Sequence, residues 1–150
     1  MIELYTYFTR LRKNAQLFEY QTEGAVGADI RACLDGPVVV PAMSRASLPT
    51  GWAVETPFGM ELQIRPRSGL SAKMGITVIN APGTIDHDYT GEIKVVLINL
   101  GFEDYVVQPG ERIAQAVLCP VHRFIPVEVE NDRRRDTERN DGGFGSTGRI

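Results

Sequence analysis

GEIKVVLINLGFEDYVVQPGERIAQAVL, residues 91–118, contains three β-rich runs: Ile93–Leu100, Tyr105–Val107 and Arg112–Leu118. The turn Gln108-Pro109-Gly110-Glu111 parts the last two. Val and Ile suit the half-buried pleated surface of a strand, and a Pro-Gly pair reverses the chain. Short runs broken by turn residues predict an all-β sandwich or barrel. Outward from this stretch the pattern recurs at Val38–Val40, Trp52–Glu55, Met60–Ile64, Ile76–Asn80 and Ile125–Val129. The 15 glycines and 9 prolines fall between such runs. Helical periodicity never lasts beyond about two turns, and no internal repeat is present. One short helix is expected, from Ser68 as N-cap through Leu70, Ser71, Ala72 and Lys73 to a stop at Gly75.

The chain has 150 residues, 43% hydrophobic and 23% charged, enough for one domain with a real core. Residues 1–129 are expected to form that domain. Beyond Val129 the only large apolar residues are Phe144 and Ile150, so 130–150 read as a mobile tail. Apolar runs fall short of the ~20 residues of a membrane helix, and MIELYTYFTRLRKNAQ lacks the pattern of a secretory signal. A cytoplasmic protein with no membrane partner is the expectation. A net charge of −3 argues against a nucleic-acid surface, though not against one small anion held locally. Cys33 and Cys119 suit buried, reduced thiols. Cys119 and His122 are half a zinc site with no second Cys-His pair to finish it.

Five segments combine residue types that carry chemistry, and each also has a plainer reading. GGFGSTGR, residues 142–149, can turn several backbone N–H groups toward an anion, with Ser146, Thr147 and Arg139 as donors, or it can be a solubilising tail. It nearly imitates a phosphate-binding Walker A loop, but Arg149 replaces the lysine. RPRSGLSAK, 65–73, sets Arg67 at a helix start, where free N–H groups favour an anion; alternatively it is a capped helix with a solvated arginine. NAPGTIDHDYTGEI, 80–93, crowds Asp86 and Asp88 between bends, with Glu92 beyond, as a water-activating carboxylate or as solvated hairpin charges. His87 is expected to be exposed rather than ligating. GADIRA, 27–32, and GERIAQAVL, 110–118, carry Asp29 and Gln115 on strands, where polar residues need no special explanation. A serine-hydrolase reading fails, since no G-x-S-x-G elbow exists.

Taken together and in this order, the five segments resemble the five motifs of the homotrimeric dUTPase family from about Ala25 to Gly148, with PRSGLS and GGFGSTG the strongest parts. That resemblance implies a distorted jelly-roll β-barrel with one short helix and a flexible C-terminal tail, assembled as a trimer whose active sites lie between subunits. It implies Mg²⁺-assisted hydrolysis of dUTP to dUMP and pyrophosphate, which limits uracil in DNA and supplies dUMP for dTMP synthesis. By the same resemblance Asp86 activates the water that attacks the α-phosphorus. Asn80 and the backbone of Gly83, Thr84 and Ile85 read the uracil edge, and Tyr89 lies beneath the deoxyribose, refusing a 2′-hydroxyl. Arg67, Ser68, Gly69 and Gln115 meet the phosphate chain, while Asp29 reaches the metal through water. Phe144 stacks on uracil beside Gly145, and Arg139, Ser146 and Thr147 hold the outer phosphates.

This sequence departs from the family pattern at Asn140, where glycine is usual, and at Thr90, where arginine is common. Asn tolerates left-handed backbone, so a turn survives the first change. Two rivals share the fold: a dCTP deaminase, and a jelly-roll nucleotide-binding protein without catalysis. The deaminase resemblance requires a proton-shuttling glutamate where this chain has Val96. Against the second stand Asp86, Arg67, Ser68 and the complete tail.

Overall fold

Along Lys94–Asn99 every second residue, Val95, Leu97 and Asn99, is buried, the two-residue period of a strand with one face on a core. The computed structural model describes residues 3–130, 132 and 134–143. Its elements run β1 (Tyr7–Arg10), β2 (Ala28–Arg31), β3 (Val38–Val40), β4 (Arg45–Pro49), β5 (Trp52–Glu55), β6 (Met60–Arg65), α1 (Ser68–Met74), β7 (Ile76–Val78), β8 (Gly83–Ile85), β9 (Lys94–Asn99), β10 (Tyr105–Val107) and β11 (Arg112–Pro120). Pairing is antiparallel throughout, in sheets ordered β2-β11-β6-β8, β4-β9-β7, β1-β5 and β10-β3. The all-β expectation with one short helix holds.

The sheets share one core, in which Ile30, Leu48, Ile64, Ile93, Leu97 and Ile113 are all at most 2% exposed. Burying a side chain of this size contributes about 1.5–3 kcal/mol. Asn99 is one of the buried polar residues, and it is fully satisfied. Its Nδ2 donates to the carbonyls of Val40 and Glu103 at 2.9 and 2.8 Å, and its Oδ1 accepts from the Gly101 N–H at 2.9 Å. Buried amides are tolerated when every group is paired, and this one ties β9 to β3.

A smaller cluster of Ala15, Cys33 and Trp52 anchors the N-terminal segment. Phe8 meets Phe18 and Trp52 edge-on, with ring centroids 5.1 and 5.9 Å apart, and Trp52 Nε1 donates to the Gln16 carbonyl at 2.8 Å. Gly51 makes this docking possible. Its φ is +77°, and an added Cβ would stand 2.5 Å from Ala15 Cβ, 3.1 Å from Arg12 Cβ and 3.1 Å from Cys33 Sγ. Gly51→Ala is therefore expected to lower the unfolding free energy by about 2–4 kcal/mol, from left-handed strain plus overpacking. Urea denaturation measures it, and a change below about 0.5 kcal/mol contradicts the close approach.

Three expectations need correction. Residues 125–129 form no strand, although their alternation is real; Phe124, Ile125, Val127 and Val129 are 87, 87, 74 and 45% exposed. A strand needs a ladder partner, and none lies beside this segment among the described residues. The helix N-cap is Arg67 rather than Ser68: Arg67 keeps extended backbone (φ −89°, ψ 127°), no side chain caps the helix, and Ser68 is already helical. Cys119 is half-buried where a buried thiol was expected, while Cys33 is buried; both are free. Gly75 ends the helix as expected, at φ +69°.

Candidate active site

The centre of the four-stranded sheet organises the first half of the site. Asp29 on β2 faces Gln115 on β11, which faces Arg65 on β6. A bulge between Arg112 and Ala114 sets this register, burying Ile113 and Ala114 in succession. The Asp29 side chain is only 10% exposed, and a carboxylate so placed requires pairing. Arg67 Nε donates to one oxygen at 3.0 Å and Arg112 Nη1 to the other at 3.0 Å. Arg67 Nη1 also donates to the Arg112 carbonyl at 3.1 Å, and Arg112 Nη1 to Gln21 Oε1 at 2.9 Å. The Arg67 guanidinium is thereby fixed, with Nη2 unengaged among the described residues and able to meet an anion. Both oxygens of Asp29 already accept from arginines, so a water-mediated metal contact must use their remaining lone pairs.

Beside this cluster a cavity of about 480 Å³ is lined by Gln63, Arg65, Pro66, Ala81, Pro82 and Gln115. Gln115 Nε2 donates to the Pro66 carbonyl at 2.9 Å. Gly27 supplies the room, because a Cβ there would lie 2.1 Å from Gln115 Oε1. Ser68 and Gly69 are exposed at the start of α1, where first-turn N–H groups lack intrahelical partners.

The hairpin forms the second half. A hollow of about 220 Å³ is lined by Thr84, Ile85, Asp86, Tyr89, Glu92 and Lys94. Asp86 is exposed directly after β8, and its carboxylate makes no hydrogen bond among the described residues. Asn80 lies over buried Gly83, its Nδ2 3.2 Å from where a Cβ would be. The Tyr89 ring lies against Gly91, where a Cβ would be 2.5 Å from the phenolic oxygen, and its O–H donates to the Glu92 carbonyl at 3.0 Å. His87 is exposed as expected; its Nδ1 hydrogen-bonds the Thr56 carbonyl at 2.7 Å, and its ring meets Phe58 edge-on at 5.6 Å.

Behind Tyr89, Arg12 holds Glu92 by two bonds, of 2.6 and 3.2 Å, and the Gly51 N–H donates to the same carboxylate at 3.0 Å. The Arg12 bond, outweighing burial and assisted by Gly51, holds the Glu92 carboxyl below the usual carboxylate range. A carboxylate lowered on folding adds stability above its unfolded range and loses it as pH falls through the lowered value. The anchor therefore persists at neutral pH and fails only in acid.

Within one chain the start of the hairpin, Ala81 and Pro82, borders the cavity beside Gln115, but Asp86 and Arg67 stand apart. Leu62 faces Ile85, the residue before Asp86, whereas Arg67 stands five positions further along. At ~3.3 Å per residue, the stretch of β6 from Leu62 to its end at Arg65 alone covers roughly 10 Å. Arg139 donates through Nε to the Gly142 carbonyl at 2.8 Å, inside its own turn. That turn survives the replacement of glycine: Asn140 adopts φ +41° and exchanges hydrogen bonds with Thr137. Phe144, Gly145, Ser146 and Thr147 lie outside the described residues. Arg112, Arg12, Glu92 and Gln21 are contributors that the sequence reading did not assign. Cys119 and His122 belong to no metal cluster, since no three His, Cys, Asp or Glu converge among the described residues.

Known proteins match this chain over most of its length. A family model described as dUTPase matches residues 13–148. The deoxyuridine 5'-triphosphate nucleotidohydrolase of Treponema denticola is 51% identical over 141 residues, spanning 94% of this chain and 96% of that protein. That of Chlamydia pneumoniae is 50% identical over 143 residues, spanning 95% and 98%. The solved structure of Staphylococcus bacteriophage 80alpha dUTPase with dUPNHPP is similar at a TM-score of 0.82 and 26% identity, over 96% of this chain and 98% of that one. The jelly-roll fold is thus shared, and by sequence and structure alike this chain belongs to the dUTPase family.

Proposed function

We propose that this protein hydrolyses dUTP to dUMP and pyrophosphate. The observation that carries the reading is Asp86: an exposed carboxylate without a side-chain partner among the described residues, opening on the same hollow as Tyr89. A water oxygen forms a bond to the α-phosphorus, the bond from that phosphorus to the pyrophosphate oxygen breaks, and Asp86 takes the water's proton. A carboxylate is a weak base at neutral pH, so positioning and charge stabilisation carry most of the acceleration. Asn80 with the backbone of Gly83, Thr84 and Ile85 reads uracil, and the Tyr89 ring leaves no room beneath the sugar for a 2′-hydroxyl. Arg67, Ser68, Gly69 and Gln115 hold phosphates. Phe144, Gly145, Ser146, Thr147 and Arg139 close over the nucleotide.

Mg²⁺ is the metal this reaction would use, and Asp29, whose oxygens keep lone pairs beyond those that accept from Arg67 and Arg112, would hold it through water. When bound, the ion neutralises charge on the phosphate oxygens.

A homotrimer with shared sites is part of the proposal. It is supported by the separation of Asp86 from Arg67 and by the exposed apolar segment at Phe124, Ile125, Val127 and Val129. The barrel domain is taken as residues 1–129 and the closing tail as 130–150. The cytoplasm is the proposed location; no helix among the described residues is long and apolar enough to cross a membrane.

Incubating the protein with Mg²⁺ and each of dUTP, dCTP, dTTP and UTP tests the reading, with pyrophosphate and ammonia as products measured. Pyrophosphate from dUTP alone is the expected result. Ammonia from dCTP points to the deaminase, against which Val96 stands on β9 opposite Ser47, and no turnover points to a binding protein. Gly27→Ala tests the phosphate assignment of Gln115. The clash is with the far end of a flexible side chain, so the fold is retained while Gln115 leaves Pro66. Losing one hydrogen bond to a charged group is expected to raise KM for dUTP about tenfold. An unchanged KM removes Gln115 from the site.

A further inference from the structure

The function proposed above gives the Tyr89 ring the task of excluding a 2′-hydroxyl, but an aromatic ring excludes one only if it is held still. Tyr89 is 44% exposed and stands on an exposed turn, so its neighbours must fix it. Two contacts do so, and a third interaction holds the residue that makes one of them. Gly91 lets the ring lie against the backbone, where a Cβ would be 2.5 Å from the phenolic oxygen. The phenol donates to the main-chain carbonyl of Glu92 at 3.0 Å. The side chain of that same Glu92 is gripped by Arg12, at 2.6 and 3.2 Å, and by the Gly51 N–H at 3.0 Å.

Arg12 reaches the hairpin from 80 residues away, on the N-terminal segment docked at Gly51, where the Leu11 N–H donates to the Gly51 carbonyl at 2.8 Å. The grip is forked, so it fixes direction as well as distance. Its guanidinium side is 44% exposed and its carboxylate side 14%, and a pair partly open to water contributes modestly to global stability. Its consequence is therefore local.

We propose that Arg12 is a positioning residue for sugar selection: by its two-pronged hold on Glu92 it sets the place of the Tyr89 ring, and with it the preference for deoxyribose over ribose. This rests on the dUTPase reading of the hairpin. Arg12 touches no substrate and acts only through Glu92.

The test compares the parent protein with Arg12→Gln, Arg12→Lys and Glu92→Gln, reading three quantities. Urea denaturation checks that each variant is folded. Amide hydrogen exchange across residues 86–92 is expected to quicken about tenfold in Arg12→Gln and Glu92→Gln while core strands stay protected. The ratio of kcat/KM for dUTP to that for UTP is expected to fall about tenfold in the same two variants, with Arg12→Lys keeping part of the ratio. Unaltered exchange in the folded variants overturns the positioning role, whatever the activity. Faster exchange with an unaltered ratio overturns the selectivity role. A parent protein that discharges no pyrophosphate from dUTP rejects the underlying function instead, and is seen before any variant is made. If Arg12→Gln does not fold, Arg12→Lys and Glu92→Gln carry the same two comparisons.

Discussion

An Asp86→Asn protein is expected to bind dUTP about as tightly as the parent and to turn it over about 10²–10⁴-fold more slowly, the range that a positioned general base contributes. The carboxamide has nearly the size of the carboxylate but cannot take a proton from water. Nothing in the fold depends on the charge, because Asp86 is exposed and its side chain has no hydrogen-bonding partner among the described residues. The turn that presents it is fixed by other groups: the Tyr89 N–H to the Asp86 carbonyl at 3.1 Å and His87 to the Thr56 carbonyl at 2.7 Å. Loss of turnover with intact affinity for a non-hydrolysable dUTP analogue therefore isolates the chemical step. Pyrophosphate release and calorimetric titration measure the two sides. Parent-like turnover removes Asp86 from the chemistry and leaves the hairpin a binding element only.

The elements legible in the sequence are those whose burial has a regular period. Lys94–Asn99 can be read from its run Val95-Val96-Leu97-Ile98, whose residue types suit a strand, and its burial then alternates strictly in the fold. Ala28–Arg31 has no such apolar run, because Asp29 and Arg31 interrupt it to meet partners on distant segments, Arg67, Arg112 and Gly110. Arg45–Pro49 and Gly83–Ile85 carry weak strand composition and pair only because β9 and β6 supply a ladder. Ile125–Val129 shows the opposite failure: alternation is present and the partner is missing. The motifs placed Asp29, Arg67, Gln115 and Asp86 on the right elements. They did not contain the pairing of Asp29 with Arg67 and Arg112, which are 38 and 83 residues away, nor that of Arg12 with Glu92 across 80. Ion pairs at such separations leave no local period to detect; only the fold brings them together.

Refolding Asp86→Asn chains together with chains lacking residues 137–150 is expected to restore activity that neither protein has alone. In a trimer built from equal amounts of both, a site is complete when its hairpin comes from a truncated chain and its tail from a full-length one. Random assembly makes about a quarter of the sites complete, provided hairpin and tail belong to different subunits, as rotational closure permits. If one chain supplied both, every site would lack either Asp86 or a tail and no activity would return. Two observations favour separate subunits. Asp86 and Arg67 lie beyond opposite ends of the β6–β8 pair, and the chain after Pro120 leaves the sheets with Phe124 and Ile125 each 87% exposed. Apolar side chains this exposed gain most by packing on a neighbouring copy. Mixing the two proteins without unfolding gives the baseline. Native mass spectrometry establishes whether mixed trimers exist, and if they exist without activity, the shared-site arrangement is wrong even where Asp86 remains the base.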